Sequence, residues 1–164
     1  MIHPQLTLPR QLDNRYAGRR ISLYLFYPIA AMTITRSLIH MFAPDGGAQR
    51  IATIPLDHYS PQAAATIIFL FALRGLSQGI LSLLYLLALW FYRSLVPLLY
   101  LLLVLEYGLR ILAGHLHPIH TAGTAPGEVL NYIMVPLALV LYLLSIDLPA
   151  RGRAGDTTKN NPHP

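Results

Sequence analysis

The chain contains no cysteine. That absence excludes disulfides, thiol redox chemistry, iron–sulfur clusters and cysteine-type zinc sites together. It leaves the compartment open, since either redox environment tolerates such a chain. Charge is also scarce. Asp, Glu, Lys and Arg make up 12 % of the 164 residues, against roughly 25 % in an ordinary soluble domain. Hydrophobic residues reach 54 %, and mean hydropathy is +0.48. A soluble domain of this length cannot hide so much apolar surface, because too much of a small chain lies at its boundary. The composition argues against a soluble enzyme, a disordered chain and a secreted disulfide scaffold. It favours an integral membrane protein.

Acidic residues are the scarcer sign, with seven Asp and Glu against twelve Lys and Arg and a net charge of +5. A basic balance can signal nucleic-acid binding. Here the basic residues cluster beside apolar segments, as expected for headgroup contact and topology control, so lipid and not nucleic acid is the expected partner.

The apolar residues fall into four segments, and the expected fold is an all-α, four-helix transmembrane bundle with spans near 21–42, 62–91, 95–113 and 127–147. The middle two lie in one apolar stretch from Ala63 to Ala113. As a single helix it would be about 75 Å long, far beyond a ~30 Å hydrocarbon core. It must turn back, and Tyr92-Arg93-Ser94, just before Pro97, is the sensible break. Ser60-Pro61 reads as an N-cap followed by proline at the first helical position, and Pro126 plays a similar role before the fourth span. Pro28 and Pro136 fall inside spans as kink candidates. The first span carries Arg36, is too long for a signal-peptide core and lacks an A-x-A site, so it reads as an uncleaved anchor.

Orientation follows from Lys and Arg placement. Arg10, Arg15, Arg19, Arg20, Arg93, Arg151, Arg153 and Lys159 lie on one side, and the opposite loops hold only Arg50. Both termini are expected in the cytoplasm of a bacterial inner membrane, with 43–61 and 114–126 outside. Residues 1–20 form a basic cytoplasmic segment, 21–148 the transmembrane domain, and 149–164 a tail without apolar period, expected to be disordered. No internal repeat is evident, and the chain reads as one domain.

Four charges fall inside the spans: Arg36, Arg74, Glu106 and Arg110. Each would cost about 2.5–3.5 kcal/mol at a lipid-facing helix centre, so all four are expected to face the interior. Counting along each span at ~1.5 Å per residue puts Arg36 about 22 Å and Glu106 about 17 Å from the inner edge, and Arg74 about 18 Å from the outer edge. The four therefore share the outer half of the bilayer. Helical spacing gives each span one polar stripe: Thr33, Arg36 and His40; Arg74, Gln78 and Ser82; Glu106, Arg110 and Gly114; Glu128 and Asn131. The expected construction is a polar pocket open to the outside, with Arg36, His40, Arg74, Gln78, Glu106, Arg110, Glu128 and Asn131 as ligand-binding candidates. Asp45 and Asp57 are candidate lid residues. A carboxylate, phosphate or sulfate would suit such a positive pocket. The competing reading is a buried salt-bridge network that holds the helices in register.

Gly75 and Gly79 make a GxxxG that lets a neighbouring helix approach closely, and the expected contact is within the chain, ahead of one between copies. His115, His117 and His120 crowd one loop and raise a metal hypothesis, set against a solvated loop and a pH-sensitive lid. No carboxylate or cysteine joins them, and no cofactor is expected.

With RGLSQG at 74–79 and EYGLR at 106–110, followed by a Gly/Pro-containing loop before the fourth span, residues 60–148 resemble a family of small, uncharacterised four-helix bacterial membrane proteins classed as a domain of unknown function. The resemblance implies fold and membrane location and carries no activity. Three functional classes follow from the residues. The first is an accessory subunit or a binder of a lipid or anionic amphiphile, in a complex or a homo-oligomer. The second is a small membrane enzyme of isomerase, cyclase or hydrolase type, with Glu106 as general acid/base on a lipophilic substrate. The third is a transporter component, which one four-helix unit would fill only as an oligomer.

Overall fold

The computed structural model describes residues 7–9 and 11–146. The 149–164 tail, with Arg151, Arg153 and Lys159, and also Arg10, lie outside the described residues. Those residues contain four long helices and no strand: α1 (Arg20–Phe42), α2 (Pro61–Trp90), α3 (Val96–Leu116) and α4 (Pro126–Ser145). α2, α4 and the helical run Arg93–Leu116 are long and apolar enough to cross a membrane. α1 is long enough but more polar, with Thr33, Thr35, Arg36, Ser37 and His40 in its second half, and it does not join that group. The exteriors agree. On α2 the large side chains Leu73, Leu76, Ile80, Leu83 and Leu87 are all exposed, an apolar surface that water does not tolerate in a monomer. The chain is a membrane protein.

The helix boundaries have local causes. Pro61 stands at the first turn of α2, and the Ser60 hydroxyl accepts from the Ala63 N–H at 3.3 Å. The expected break appears as a turn through Phe91 and Tyr92 and a short 3₁₀ segment, Arg93–Leu95. The Arg93 Nε there donates to the Leu89 carbonyl at 3.0 Å, a cation at the negative end of α2. α3 runs to Leu116, one turn past the expected span, and so takes His115 into its last turn.

The helices pack as two tight pairs, α1 on α2 and α3 on α4, with sparser contact between the pairs. The apolar core fills only one half of the assembly. It joins Leu23, Phe26 and Ile29 of α1 to Tyr85 and Leu89 of α2, Leu99, Tyr100 and Leu103 of α3, and Met134, Ala138 and Leu141 of α4. The Phe26 ring meets Tyr85 and Tyr100 edge-on, each at 5.1 Å.

Residues 11–19 seal that same end. The Ser94 hydroxyl donates to the Asp13 carbonyl at 3.0 Å, and the Arg19 N–H donates to the Leu144 carbonyl at 2.9 Å. Thr7 and Tyr142 share a buried hydrogen bond of 2.7 Å. Gly18 lies so close under Ser145 that a Cβ there would collide with its carbonyl. The exposed Arg15, Arg19 and Arg20 thus gather with Arg93 at one end of the helices, and the other end is left to the cavity.

A candidate anion-binding cavity between the four helices

Where the apolar core stops, the two helix pairs enclose a cavity of about 760 Å³. Every helix contributes to it: Arg36 and His40 from α1, Phe71 and Arg74 from α2, Arg110, Ile111 and His115 from α3, Glu128, Asn131 and Tyr132 from α4. From the two loops at this end, Ile51 and Ala52, the segment 117–119, Thr121 and Ala125 line it as well.

The close approach of α1 to α2 places the first two arginines. A Cβ on Gly75 would stand 2.8 Å from the His40 Cβ and 2.9 Å from the Met41 backbone N. One on Gly79 would stand 2.9 Å from the Ser37 Oγ. The small-residue stripe is therefore an intrachain contact, as expected. The Ser37 hydroxyl donates to the Gly75 carbonyl at 2.8 Å. Arg36 and Arg74, each one residue from this bond, project from the joined helices into the same cavity. His40 lies in electrostatic range of Arg74, Arg36 and Arg110. Its Nδ1 donates to the Gly46 carbonyl at 2.7 Å, which sets the tautomer, and its ring stands edge-on to Phe71 at 5.4 Å.

Arg110 is held from its own helix. Its Nη2 pairs with Glu106 one turn earlier, and its guanidinium lies 5.2 Å from the centre of the Tyr107 ring. This is the one ion pair among the described residues. It lies within α3, so the interhelical network of the competing reading is not formed there. Arg36 approaches Tyr107, Arg110 and Glu106 across the helix interface without an ion pair. The consequence is a set of buried polar atoms without partners: Arg36 Nη1, Arg110 Nη1 and Asn131 Oδ1, from three helices that line one cavity. An unpartnered buried polar atom costs about 1–3 kcal/mol, more when charged. Buried groups of this kind are ordinarily satisfied.

Six of the eight sequence candidates therefore meet: Arg36, His40, Arg74, Arg110, Glu128 and Asn131. Gln78 and Glu106 do not line the cavity. They sit one helical turn toward the core from Arg74 and Arg110, and Gln78 is buried with its Oε1 unpartnered. Arg74 is exposed at the cavity wall, whereas Gln78 and Ser82 below it are buried. The candidate lid carboxylates do not reach the cavity. Asp45 accepts backbone N–H groups of Gly47 and Arg50 at 3.0 and 2.9 Å, and Asp57 accepts from Gln49 at 2.7 Å. Burial alone would raise the Asp45 carboxyl, but the two N–H donors hold it below the ordinary carboxylate range.

His115 and His117 line the cavity mouth, and His120 lies outside the lining. Among the described residues no group of three or more His, Cys, Asp or Glu is placed to hold a metal. The sequence reading missed Phe71, Tyr132 and the Ile51–Ala52 stretch. Phe71 stands three residues before Arg74 and Tyr132 four after Glu128, so helical spacing carried a signal for both. Ile51 and Ala52 had none. No protein-family model, curated protein or solved structure matches the chain. The resemblance noted from the sequence thus lends no function to this cavity.

Proposed function

We propose that the protein is a small four-span membrane protein that binds an anionic amphiphile, a lipid or lipid-like molecule, in this cavity, on its own or as an accessory subunit of a complex. The supporting observation is the pair of buried, unpartnered guanidinium nitrogens on Arg36 and Arg110, beside Arg74. An anion supplies the missing acceptors, and the apolar walls at Phe71, Ile111 and Tyr132 accept a hydrocarbon portion. α1 crosses as the fourth span because it lies tightly along α2, where Arg36 and His40 face the cavity instead of lipid. The basic end, with Arg15, Arg19, Arg20 and Arg93, faces the cytoplasm of a bacterial inner membrane, and the cavity opens in the outer half. The enzyme reading lacks comparable support, because Glu106 is engaged by Arg110 and stands outside the cavity lining.

Native mass spectrometry of the protein extracted in mild detergent tests this reading. An anionic lipid adduct should accompany the wild-type chain and weaken in Arg36→Gln and in Arg110→Gln. Adducts of identical mass and abundance in all three would remove it. Reporter fusions at His120 and at the C-terminus test the orientation, and a cytoplasmic signal at His120 contradicts an outward-facing cavity.

A further inference from the structure

We propose that the head group bound in the cavity is a phosphomonoester, the terminal phosphate of a single-chain or polyprenyl-type amphiphile, and not a carboxylate. This rests on the amphiphile reading above and sharpens it.

Charge is the first argument. Three guanidinium groups bear on the cavity, and the buried neighbourhood holds one carboxylate, Glu106, already paired to Arg110. Two positive charges remain uncompensated there. Glu128 also lines the cavity and, like Arg74, is exposed, so one positive charge remains when Glu128 is counted and two when it is screened by water. A fatty carboxylate brings one negative charge. A phosphomonoester brings about −1.5 to −2 at pH 7 and three acceptor oxygens.

Geometry is the second argument. The unpartnered nitrogens belong to different helices, Arg36 Nη1 to α1 and Arg110 Nη1 to α3, while Arg74 enters from α2. A planar carboxylate presents two oxygens whose acceptor sites lie in one plane, and one guanidinium fork takes up about half of them. A tetrahedral phosphate presents oxygens in three directions and can serve donors from three helices at once. The α4 side adds complementary groups. Asn131 also lines the cavity, and turning its amide presents the NH2 donor to a phosphate oxygen in place of the unpartnered Oδ1. Gly127 lines the cavity in the first turn of α4, whose N-cap residue, Ala125, makes no side-chain capping bond. Pro126 has no N–H and the Glu128 N–H donates to the Ala125 carbonyl at 2.9 Å, so in that turn the Gly127 N–H is the donor left for an anion. The apolar walls, Phe71 of α2 and Ile111 of α3, take the first carbons of the chain.

The test is calorimetric titration of the full-length protein in an uncharged detergent at pH 8 with three probes: monododecyl phosphate, dodecanoate and inorganic phosphate. Monododecyl phosphate should bind at least about tenfold more tightly than either of the others, and Arg36→Gln and Arg110→Gln should each abolish that preference. Because the probes are compared on wild-type protein, a variant that fails to fold does not decide the outcome. Equal affinity for dodecanoate overturns the phosphomonoester assignment and leaves the anionic-amphiphile reading standing. Inorganic phosphate binding as tightly as its dodecyl ester overturns the amphiphile and points to a free anion. Binding of none of the three overturns both readings.

Discussion

The Ser37 hydroxyl on α1 donates to the Gly75 carbonyl on α2 over 2.8 Å, and the glycine is what lets the two helices come that close. The bond stands beside the two arginines that these helices send into the cavity.

Substituting the helical glycines should therefore rank by what a methyl group meets. Gly75→Ala drives a Cβ into the His40 Cβ and the Met41 backbone and should cost about 1–3 kcal/mol. Gly79→Ala meets only the end of the Ser37 side chain and should cost less. Gly108→Ala meets nothing within 4 Å and should be neutral or stabilising by up to about 1 kcal/mol through helix propensity. Melting temperatures of the three variants in one detergent give the order.

Two core tyrosines should answer oppositely to loss of the hydroxyl. The Tyr100 hydroxyl donates to the Ser22 carbonyl at 2.6 Å, so Tyr100→Phe should destabilise by about 0.5–1.5 kcal/mol. The Tyr85 hydroxyl is buried with no partner, so Tyr85→Phe should be neutral or stabilising. Thermal melts of the two variants, and of the double variant, separate these effects.

Thr53 clasps the two loops at the cavity end. Its carbonyl accepts from the Ala122 N–H and its hydroxyl donates to the Gly123 carbonyl, both at 2.8 Å. It does so with φ at +55°, a conformation costly for a β-branched residue. Thr53→Val keeps the strain and loses the hydroxyl, and should speed amide hydrogen exchange across 117–125. Thr53→Gly relieves the strain as it loses the same bond, so its melting temperature should stay closer to wild type than that of Thr53→Val.

Acid should weaken the 43–60 loop through Asp45. Its carboxyl is held below the ordinary range by the Gly47 and Arg50 N–H groups. Its contribution is present above the unfolded carboxylate value of about 3.9 and is lost as pH falls through the lower folded value. Asp45→Asn should thus melt below wild type at pH 7, with the gap closing under acid. A gap that widens at low pH contradicts the assignment.

Much of the frame was legible in the chain. Ser60-Pro61 and Pro126 mark helix starts, Tyr92-Arg93-Ser94 marks the reversal, and Gly75 with Gly79 marks the close contact. Each is a local rule of backbone chemistry acting within one turn. The polar stripes likewise located six residues of the cavity, because helical spacing alone decides which side chains share a face. What stayed hidden depends on distant contacts. Asp13 meets Ser94 across 81 positions, and Thr53 meets Gly123 across 70. Neither pairing leaves a pattern in either segment. Sequence counting also left the charge partners open between a positive pocket and an interhelical salt-bridge network, because residue counts do not say that Glu106 pairs with Arg110 of its own helix.

The central claim is that the cavity is completed by an anionic head group. An experimental density map of the protein extracted with its native lipid tests it most directly. The account predicts non-protein density within hydrogen-bond distance of the Arg36 and Arg110 guanidinium groups, continuous with a chain along Phe71 and Ile111. A map in which Arg36 and Arg110 are both satisfied by protein carboxylates, with only water in the cavity, contradicts it.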